Sequence, residues 1–423
     1  MSSHSTSYRN RQLWAWAFYD WANSAFVTTV MVAFFPIFFR EFWAKGLPSE
    51  EITLHLGTAN SIASLLIMCL APLLGTIADQ GGLKKTLLGA FMLLGASATL
   101  FMTSFDMGQW QWAMTAFIVA VIGFLGGNIF YDSLLVDVAQ EKDFNRASAF
   151  GYSMGYLGGG VLFTLCVMLT LKPQWFGLES VTSAVQWAFG ITALWWVVFS
   201  LPLLLWVQER GIGDKARPPL SALIRQAFGQ LWGTFQHIRR LRTVGLFLLA
   251  YWLYIDGVDT VIFMSVDYGK ALGFDSSNLI QALLITQFVA FPAALVFGWL
   301  GNRWGAKRGI LLGLAGYVLI TVGASQMQTV NGFYALALSV GLVQGGVQAL
   351  SRSLFASLIP SDQAAEFFGF YNMLGKFASV LGPLLVGWVG VLTGSPRLGL
   401  LAVLILFGAG AFLLWKVPEQ RAA

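Results

Sequence analysis

The chain has 423 residues, of which 57% are hydrophobic and only 11% charged, with a formal net charge of +5. A water-soluble protein carries charge on about a quarter of its residues, so this chain lacks the polar surface that a soluble protein of its size needs. The bilayer must be its main solvent. Cys69 and Cys166 lie inside long apolar runs, which argues against a disulfide framework or a metal site. The histidines, His4, His55 and His237, lie far apart and give little support to a metal or catalytic cluster.

Twelve apolar stretches are each long enough to cross the hydrocarbon core as a helix, which takes about 20 residues. We place them at 13–39, 54–78, 86–105, 112–137, 147–171, 184–207, 243–267, 277–300, 309–327, 332–358, 367–392 and 398–416. The first run is too long for the apolar part of a cleavable signal peptide, so we predict that it is a membrane span. The sequence therefore predicts an all-α polytopic membrane protein with twelve transmembrane helices.

The distribution of Lys and Arg predicts the orientation, because these residues collect in cytoplasmic loops. With the first residues inside, the inner segments hold 18 of the 25 basic residues: Arg9, Arg11, Lys84, Lys85, Lys142, Arg146, Arg210, Lys215, Arg217, Arg225, Arg239, Arg240, Arg242, Arg303, Lys307, Arg308, Lys416 and Arg421. The net positive charge therefore needs no nucleic-acid partner. We expect a multi-pass protein of a bacterial inner membrane, with both termini in the cytoplasm.

The longest connection, Gln208 to Arg242, divides the spans six and six. We predict an N-terminal bundle over 1–207, a cytoplasmic linker over 208–242 and a C-terminal bundle over 243–423. Apolar residues of the linker recur at the spacing of one helical face, at Leu220, Leu223, Ile224, Ala227, Phe228, Leu231, Trp232, Phe235 and Ile238. This pattern predicts a basic amphipathic helix on the inner leaflet. The alternative is a soluble helix packed on the protein's own loops.

The two halves also look like copies of each other, because the loop after span two recurs after span eight. The matching positions of the first loop are Gly75, Asp79, Gly82, Lys84 and Lys85, and those of the second are Gly298, Asn302, Gly305, Lys307 and Arg308. Asp20 and Asn23 of span one similarly resemble Asp256 and Asp259 of span seven. A parallel duplication of six-span halves is a transporter architecture, with the solute site between the halves.

Five spans carry polar residues three or four positions apart, so each presents a polar stripe on one helical face. The stripes are Asp20, Asn23, Ser24 and Thr28; Asn128 and Asp132; Asp256, Asp259 and Thr260; Gln344, Gln348 and Arg352; and Asn372 and Lys376. Charged groups in a bilayer cost several kcal/mol, so we expect the stripes to face a common aqueous cavity. The alternative is that the charged residues form structural pairs between helices. For Asp132 and Arg352 we favour a structural or gating pair.

Asp20, Asn23 and Lys376 lie deeper in their spans, and we expect them to serve the transported solute. A carboxylate that a cation approaches in only one conformation can take up and release a proton. Asp20 and Asp256 are our candidates for such proton coupling, and Asp259 is a weaker one. No other cofactor is expected, because the chain carries no phosphate-binding Gly-rich loop that would indicate ATP-driven transport.

The loop GTIADQGGLKK, from Gly75 to Lys85, resembles the loop between spans two and three of the major facilitator superfamily. Within that superfamily the chain resembles the vacuole-effluxer branch, which is related to the autophagy-linked vacuolar amino-acid exporter. The segments that carry this resemblance are FYDWANSAF at 18–26, FFP at 34–36, GGVQALSRSLFASLIP at 345–360 and EFFGFYNMLGKFASVLGP at 366–383. The resemblance implies two pseudo-symmetric six-helix bundles that rock about a central site, exposing it to one side at a time.

The resemblance also implies roles for residues. The polar positions that match the family's pattern are Asp20, Asn23, Ser24, Gln348, Arg352, Asn372 and Lys376. With Asp256 and Asp259 from the stripes, all of these except Arg352 are our predicted substrate-binding residues. Our predicted gating residues are Asp79, Lys84, Lys85, Asp132, Arg146, Arg352, Arg303, Lys307 and Arg308. The second loop has Asn302 where the first has Asp79, so we expect its copy of the latch to be mainly structural.

These features predict a monomeric secondary transporter for a small polar solute, most reasonably exporting an amino acid or a related metabolite. A small peptide, an organic cation such as a polyamine, or a sugar derivative would suit the same cavity. A non-transporting membrane receptor or scaffold is the alternative from a different class. An intramembrane enzyme would need a convergent nucleophile and base or a metal cluster, which the placement of the histidines does not favour.

Overall fold

The structure is a computed structural model that describes residues 2–209, 242–271, 274–377 and 381–418. Within these ranges twelve helices are long and apolar enough to cross a membrane. The predicted number of spans is therefore confirmed. Most of the predicted linker, including the amphipathic helix over 220–238, lies outside the described residues.

We label the twelve spans α1 to α12 in chain order. Helix α1 begins as Ser2–Ala25 and continues through π-helical turns over Phe26–Phe34 and Phe39–Trp43, with Phe35–Phe38 between them. The rest of the first half consists of α2 (Ser49–Gly81), α3 (Lys84–Phe101), α4 (Trp110–Ser133, continued by Leu135–Val138), α5 (Phe144–Leu171) and α6 (Val181–Trp206). Both α1 and α2 extend several residues beyond the predicted apolar cores, because a helix continues into the polar layer on either side of the hydrocarbon.

The second half follows the same plan. Its helices are α7 (Arg242–Ala271), α8 (Ser276–Trp304), α9 (Ala306–Ser325), α10 (Val330–Leu358), α11 (Ala364–Phe377 and Leu381–Thr393) and α12 (Pro396–Leu401 and Leu404–Lys416). The number of spans is even, so the first turn of α1 and the last turn of α12 lie on the same side. We call this the terminus side; it is the side that the charge distribution predicts to be cytoplasmic.

The helices pack mainly within their own halves, and four pairs of helices make the main contacts between the halves in the described ranges. In the first half α1 packs on α5 and α6, and α4 packs on α2 and α3; in the second, α10 packs on α8 and α9, and α12 on α7. Between the halves, α5 contacts α8 and α10, while α2 and α4 contact the first segment of α11. In the predicted duplication α2 corresponds to α8, and α5 corresponds to α11. The α2–α11 contact is therefore the counterpart of the α5–α8 contact.

Glycines at equivalent positions allow the close crossings between the halves. A side chain at Gly75 of α2 would meet the backbone of Ala365, and one at Gly298 of α8 would meet Ala149. The two matching loops also turn at equivalent glycines, since Gly82 has φ +57° and Gly305 has φ +91°, conformations that favour glycine. The structure thus supports the repeat that the two loops indicate.

Candidate functional site

The side chain of Arg352 on α10 extends from one half into the other and is 1% exposed. Its Nε donates to the hydroxyl of Ser148 at 2.9 Å, and its Nη2 donates to the Ser148 carbonyl oxygen at 2.9 Å. Its Nη1 donates to Oδ1 of Asp132 on α4 at 3.0 Å. A buried charge is tolerated only when it is paired and hydrogen-bonded, and here the first half supplies every one of these partners.

Asp20 on α1 is the second carboxylate beside this guanidinium. Its Oδ2 lies 3.8 Å from Arg352 Nη1 and accepts a hydrogen bond from the Tyr131 hydroxyl at 3.0 Å. Its Oδ1 accepts from the Ser24 hydroxyl at 3.1 Å, one helical turn along the same face. We call Asp20, Asp132 and Arg352 the central ion cluster. With both carboxylates ionised it carries one more negative than positive charge.

Aromatic rings enclose the guanidinium of the central ion cluster. The Arg352 Cζ lies 4.2 Å from the ring centroid of Tyr152, 4.9 Å from that of Trp16 and 5.2 Å from that of Tyr131. Trp16 is held in place by a hydrogen bond from its Nε1 to the Tyr131 carbonyl at 2.9 Å. Rings facing a cation stabilise it and exclude water, which strengthens the electrostatic interactions of the cluster.

Asp132 also joins α4 to α11. Its Oδ2 accepts a hydrogen bond from Nδ2 of Asn372 at 3.0 Å. The Ser148 hydroxyl that receives Arg352 Nε in turn donates to the Ala349 carbonyl at 2.7 Å. Helices α4, α5, α10 and α11 are therefore connected at one point, where the two halves meet.

Two further polar contacts cross between the halves near the middle of the spans. The Tyr156 hydroxyl on α5 donates to Oε1 of Gln348 on α10 at 2.8 Å, and Nε2 of Gln287 on α8 donates to the hydroxyl of Thr28 on α1. Asn23 lies five residues before Thr28, and its Nδ2 donates to Oδ1 of Asn128 within the first half at 2.6 Å. The predicted stripes on α1, α4 and α10 therefore do face the same region.

The second half contributes two further charged residues of opposite sign, Lys376 on α11 and Asp259 on α7. Both side chains are half-buried, and the charge of Asp259 acts on Lys376. Lys376 lies one helical turn after Asn372, whose Nδ2 donates to Asp132 of the central ion cluster.

Asp256 occupies a different environment from its predicted counterpart Asp20. Its Oδ2 accepts a hydrogen bond from the backbone N–H of Leu381 at 3.0 Å, and its Oδ1 accepts from that of Gly382 at 2.9 Å and from the Thr260 hydroxyl at 3.3 Å. A carboxylate at the first N–H groups of a helix stabilises that end. Asp256 thus fixes the start of the segment Leu381–Thr393 to α7.

On the terminus side, the latch predicted around Asp79 contacts the opposite half. Asp79 Oδ1 and Oδ2 accept hydrogen bonds from the backbone N–H groups of Ala365 and Glu366 at 3.1 and 2.8 Å, at the first turn of α11. The buried Lys84 Nζ lies 3.3 Å from Asp79 Oδ1 and 3.3 Å from Asp137 Oδ2. Lys84 thus neutralises the carboxylate that joins α2 to α11.

Glu209 extends this latch to the end of the first half. Its Oε2 accepts from the backbone N–H of Lys84 at 3.1 Å, and its Oε1 accepts from that of Lys85 at 2.8 Å. The Lys85 Nζ donates to the Val207 carbonyl at 2.6 Å. Glu209 was not predicted from the sequence, because an acidic residue at the edge of a polar linker belongs to no distinctive pattern.

The other predicted gating residues lie elsewhere. Arg146 is exposed, as are Arg303 and Arg308, and Arg303 stacks on the ring of Trp299 at 5.3 Å. Lys307 Nζ donates to the carbonyl oxygens of Trp415 and Val417 at 2.6 and 2.9 Å, within its own half. Lys307 of the second loop therefore holds the end of α12.

Helix α5 carries a further polar stripe, which was not predicted from the sequence. Ser148, Tyr152 and Tyr156 recur every four residues and contact Arg352 or Gln348. These uncharged side chains lie in an apolar span, but their spacing of four residues places them on one helical face. Gly155 on the same helix allows this packing, since a side chain there would meet Asp20 Oδ1 and Ser24 Oγ.

Comparison with known proteins identifies the family. The sequence profile of the family described as vacuole effluxer Atg22 like matches residues 56–146 and 136–423. The chain belongs to this family. The resemblance that the segments around Asp20, Arg352 and Lys376 indicated is thereby confirmed.

Relatives of this Atg22-like chain include bacterial and fungal proteins. It is 40% identical over 410 residues to the uncharacterized MFS-type transporter YxiO of Bacillus subtilis (strain 168), which covers 96% of this chain and 95% of the relative. It is 27% identical over 308 residues to autophagy-related protein 22 of Yarrowia lipolytica, covering 65% of this chain and 51% of that protein. The chain thus spans about half the length of the fungal relative.

Solved structures confirm the predicted fold. The proton:xylose symporter XylE bound to 6-bromo-6-deoxy-D-glucose superposes with a TM-score of 0.73 at 13% identity, over 99% of this chain and 97% of that one. At this identity the likeness concerns the fold alone. Together with the family and the bacterial relative, it makes this Atg22-like chain a multi-pass MFS-type membrane transporter.

Proposed function

We propose that this transporter is a secondary active carrier that moves a small polar solute, such as an amino acid, out of the cytoplasm by alternating access. The observation that carries the proposal is the central ion cluster, in which Arg352 of one half is bound by Asp132, Asp20 and Ser148 of the other. The solute class follows from the charged and amide side chains beside this cluster, and the direction out of the cytoplasm is part of the proposal.

The geometry of the cluster favours a switch over a fixed contact. Two carboxylates face one guanidinium at unequal distances, 3.0 Å for Asp132 and 3.8 Å for Asp20. Separating the halves on the terminus side would withdraw Arg352 and leave both carboxylates without their cation. A carboxylate that loses a nearby cation takes up a proton more readily and attracts a cationic group, so a proton or a cationic group of the solute takes the place of Arg352. Separation of the halves on the terminus side is thereby linked to the binding of a proton or of the solute.

Proton coupling is assigned to Asp20 within this proposal. Its oxygens are held by Tyr131 and Ser24, whose hydroxyl groups can rotate to suit either a carboxylate or a carboxylic acid. Asp256 is the less suitable of the two candidates, because two backbone N–H groups of α11 point at its oxygens and favour the ionised form. Its role in the proposal is to hold α11.

The half-buried residues beside the cluster suit a zwitterionic solute. Lys376 offers a cation for a carboxylate, and charge-assisted hydrogen bonds of this kind are about twice as strong as neutral ones. Asp259 and Asp20 offer anions for an ammonium group, and Asn372 and Gln348 lie on the helices that carry Lys376 and Arg352. A peptide, an organic cation or a sugar derivative would use part of the same set.

Reconstituted proteoliposomes test the proposal. Counterflow of labelled amino acids, peptides, cations and sugars should show at least one solute entering vesicles that contain the wild-type chain. Asp20→Asn should abolish this flux or uncouple it from the proton gradient. The matched control is Asp106→Asn, which removes an exposed carboxylate far from the cluster in sequence. Internal concentrations at the level of empty liposomes for the whole panel would favour a non-transporting receptor or scaffold.

A further inference from the structure

A groove on the outer surface of the second half lies between α8, α9 and α10, away from the contacts that join the halves. It encloses about 440 Å³ and is lined only by apolar residues. Among its lining residues Phe297 is buried and Gly316 is half-buried, whereas Val296, Leu312 and Leu342 are exposed. Gly316 and its neighbour Ala315 leave the concavity, because a larger side chain at either position would occupy it.

Two arginines stand at the terminus-side end of this groove. On α9, Arg308, Leu312, Ala315 and Leu319 follow one another at the spacing of a single helical face. On α8, Arg303 lies two turns after Val296 and is exposed like Arg308. Because α8 ends at Trp304 and α9 begins at Ala306, both guanidinium groups belong to the same end of the helical pair.

Tryptophans indicate the depth of these arginines. Trp299 and Trp304 are each 48% exposed, and the Arg303 guanidinium lies 5.3 Å from the ring centroid of Trp299. Exposed Trp residues near the end of a span lie at the level of the lipid headgroups. Arg303 and Arg308 therefore lie at that level, and the apolar groove extends from them into the hydrocarbon.

The two arginines are also available for an external ligand. Among the residues that the structure describes, no carboxylate forms an ion pair with either of them. Their neighbour Lys307 is used differently, since it donates to the Trp415 and Val417 carbonyl oxygens. In the part of the chain that the structure describes, neither Arg303 nor Arg308 forms the ion pair with the other half that a gating role would need.

We propose that the groove binds an acyl chain of an anionic phospholipid whose phosphate lies between Arg303 and Arg308, in the leaflet on the terminus side. Guanidinium groups bind phosphate through paired hydrogen bonds, and basic pockets between membrane helices on the cytoplasmic side bind anionic headgroups. The groove supplies the apolar contact that a headgroup alone would lack. This site is independent of the solute site and of its proposed mechanism.

Native mass spectrometry of the full chain tests the proposal with two probes of identical acyl chains, phosphatidylglycerol and phosphatidylcholine. The wild-type chain should retain phosphatidylglycerol preferentially. Arg303→Gln/Arg308→Gln should weaken its binding about 30-fold, to the level of phosphatidylcholine. Ala315→Trp should fill the groove and reduce the retention of both lipids.

The control is Arg11→Gln/Lys142→Gln, which removes two exposed positive charges from the terminus side of the other half and should leave the lipid preference unchanged. Equal retention of the two lipids by the wild-type chain would overturn the proposal, and this comparison requires no variant. Undiminished retention of phosphatidylglycerol by Arg303→Gln/Arg308→Gln would also overturn it. Unchanged retention by Ala315→Trp would overturn the placement of the acyl chain in the groove.

Discussion

Arg352 of α10 and Asp132 of α4 form an ion pair of 3.0 Å between the two halves of the molecule. The guanidinium and the carboxylate are both buried, and each makes a further hydrogen bond, to Ser148 and to Asn372 respectively. A pair of this kind is strong only while the halves are together. It therefore links the conformation of the whole transporter to the charge state of a few side chains.

Removing the Arg352 guanidinium should destabilise the structure in which the two halves are in contact. We expect Arg352→Met to lower the free energy of unfolding by about 3–5 kcal/mol, because it leaves two buried carboxylates without their partner. Adding Asp20→Asn and Asp132→Asn should restore part of the loss by removing those charges. Thermal unfolding in detergent measures both effects, and a triple variant no more stable than Arg352→Met would show that the carboxylates are not the cause.

Asp20→Asn should separate solute movement from proton movement. The amide keeps the size of the side chain and can still contact Tyr131 and Ser24, but it cannot take up a proton. We expect the protein to insert and fold normally while proton-driven flux falls to background. Flux and pH change measured together in proteoliposomes decide this, and fully coupled transport in the variant would rule out Asp20 as the proton carrier.

Lys376→Ala should weaken solute binding. A hydrogen bond to a charged group contributes about 1.5–3 kcal/mol, so the dissociation constant should rise about tenfold or more for a solute with a carboxylate. Solutes without an anionic group should be unaffected. Binding isotherms for the wild-type and variant chains provide the measurement, and an unchanged affinity for an anionic solute would make Lys376 a structural partner of Asp259.

Asp79→Ala should favour opening on the terminus side, because it removes the acceptor of the Ala365 and Glu366 N–H groups. Ser353 of α10 is buried and donates to Oδ1 of Asn145 on α5 at 2.6 Å. Accessibility of a cysteine at this position, in a background without Cys69 and Cys166, reports on the opening.

We expect faster alkylation of Ser353→Cys in the Asp79→Ala background than with Asp79 intact. Glu141→Ala is the control, since it removes an exposed carboxylate on the same side. Equal alkylation rates in the presence and absence of the Asp79 carboxylate would contradict a latch.

Most of the fold could be predicted from the sequence, because the bilayer imposes a length and a polarity on each span. The twelve helices follow from that constraint, and the duplicated loops around Asp79 and Asn302 follow from their matching residues. The polar stripes also indicated that Asp20, Asp132, Arg352 and Asn372 face one region. Helical periodicity fixes the face on which a side chain lies, and the cost of a charge in lipid turns a polar face away from the bilayer.

Pairing between helices could not be predicted in the same way. Asp20 and Asp256 occupy similar places in the repeat, yet one faces Arg352 and the other faces the backbone of α11. The difference depends on how helices cross, and a single sequence does not encode that directly. Tyr152 was missed for a related reason, since its role comes from its 4.2 Å approach to Arg352 and not from its own charge.

The distance between the two halves on the terminus side tests the central claim most directly. Spin labels at Lys142→Cys and Asp362→Cys, two exposed positions in opposite halves, allow that distance to be measured by double electron–electron resonance. We predict two distance populations, with the longer one enriched when Asp20→Asn and Asp132→Asn remove the charges that hold Arg352. A single distance that these substitutions leave unchanged would contradict alternating access controlled by the central ion cluster.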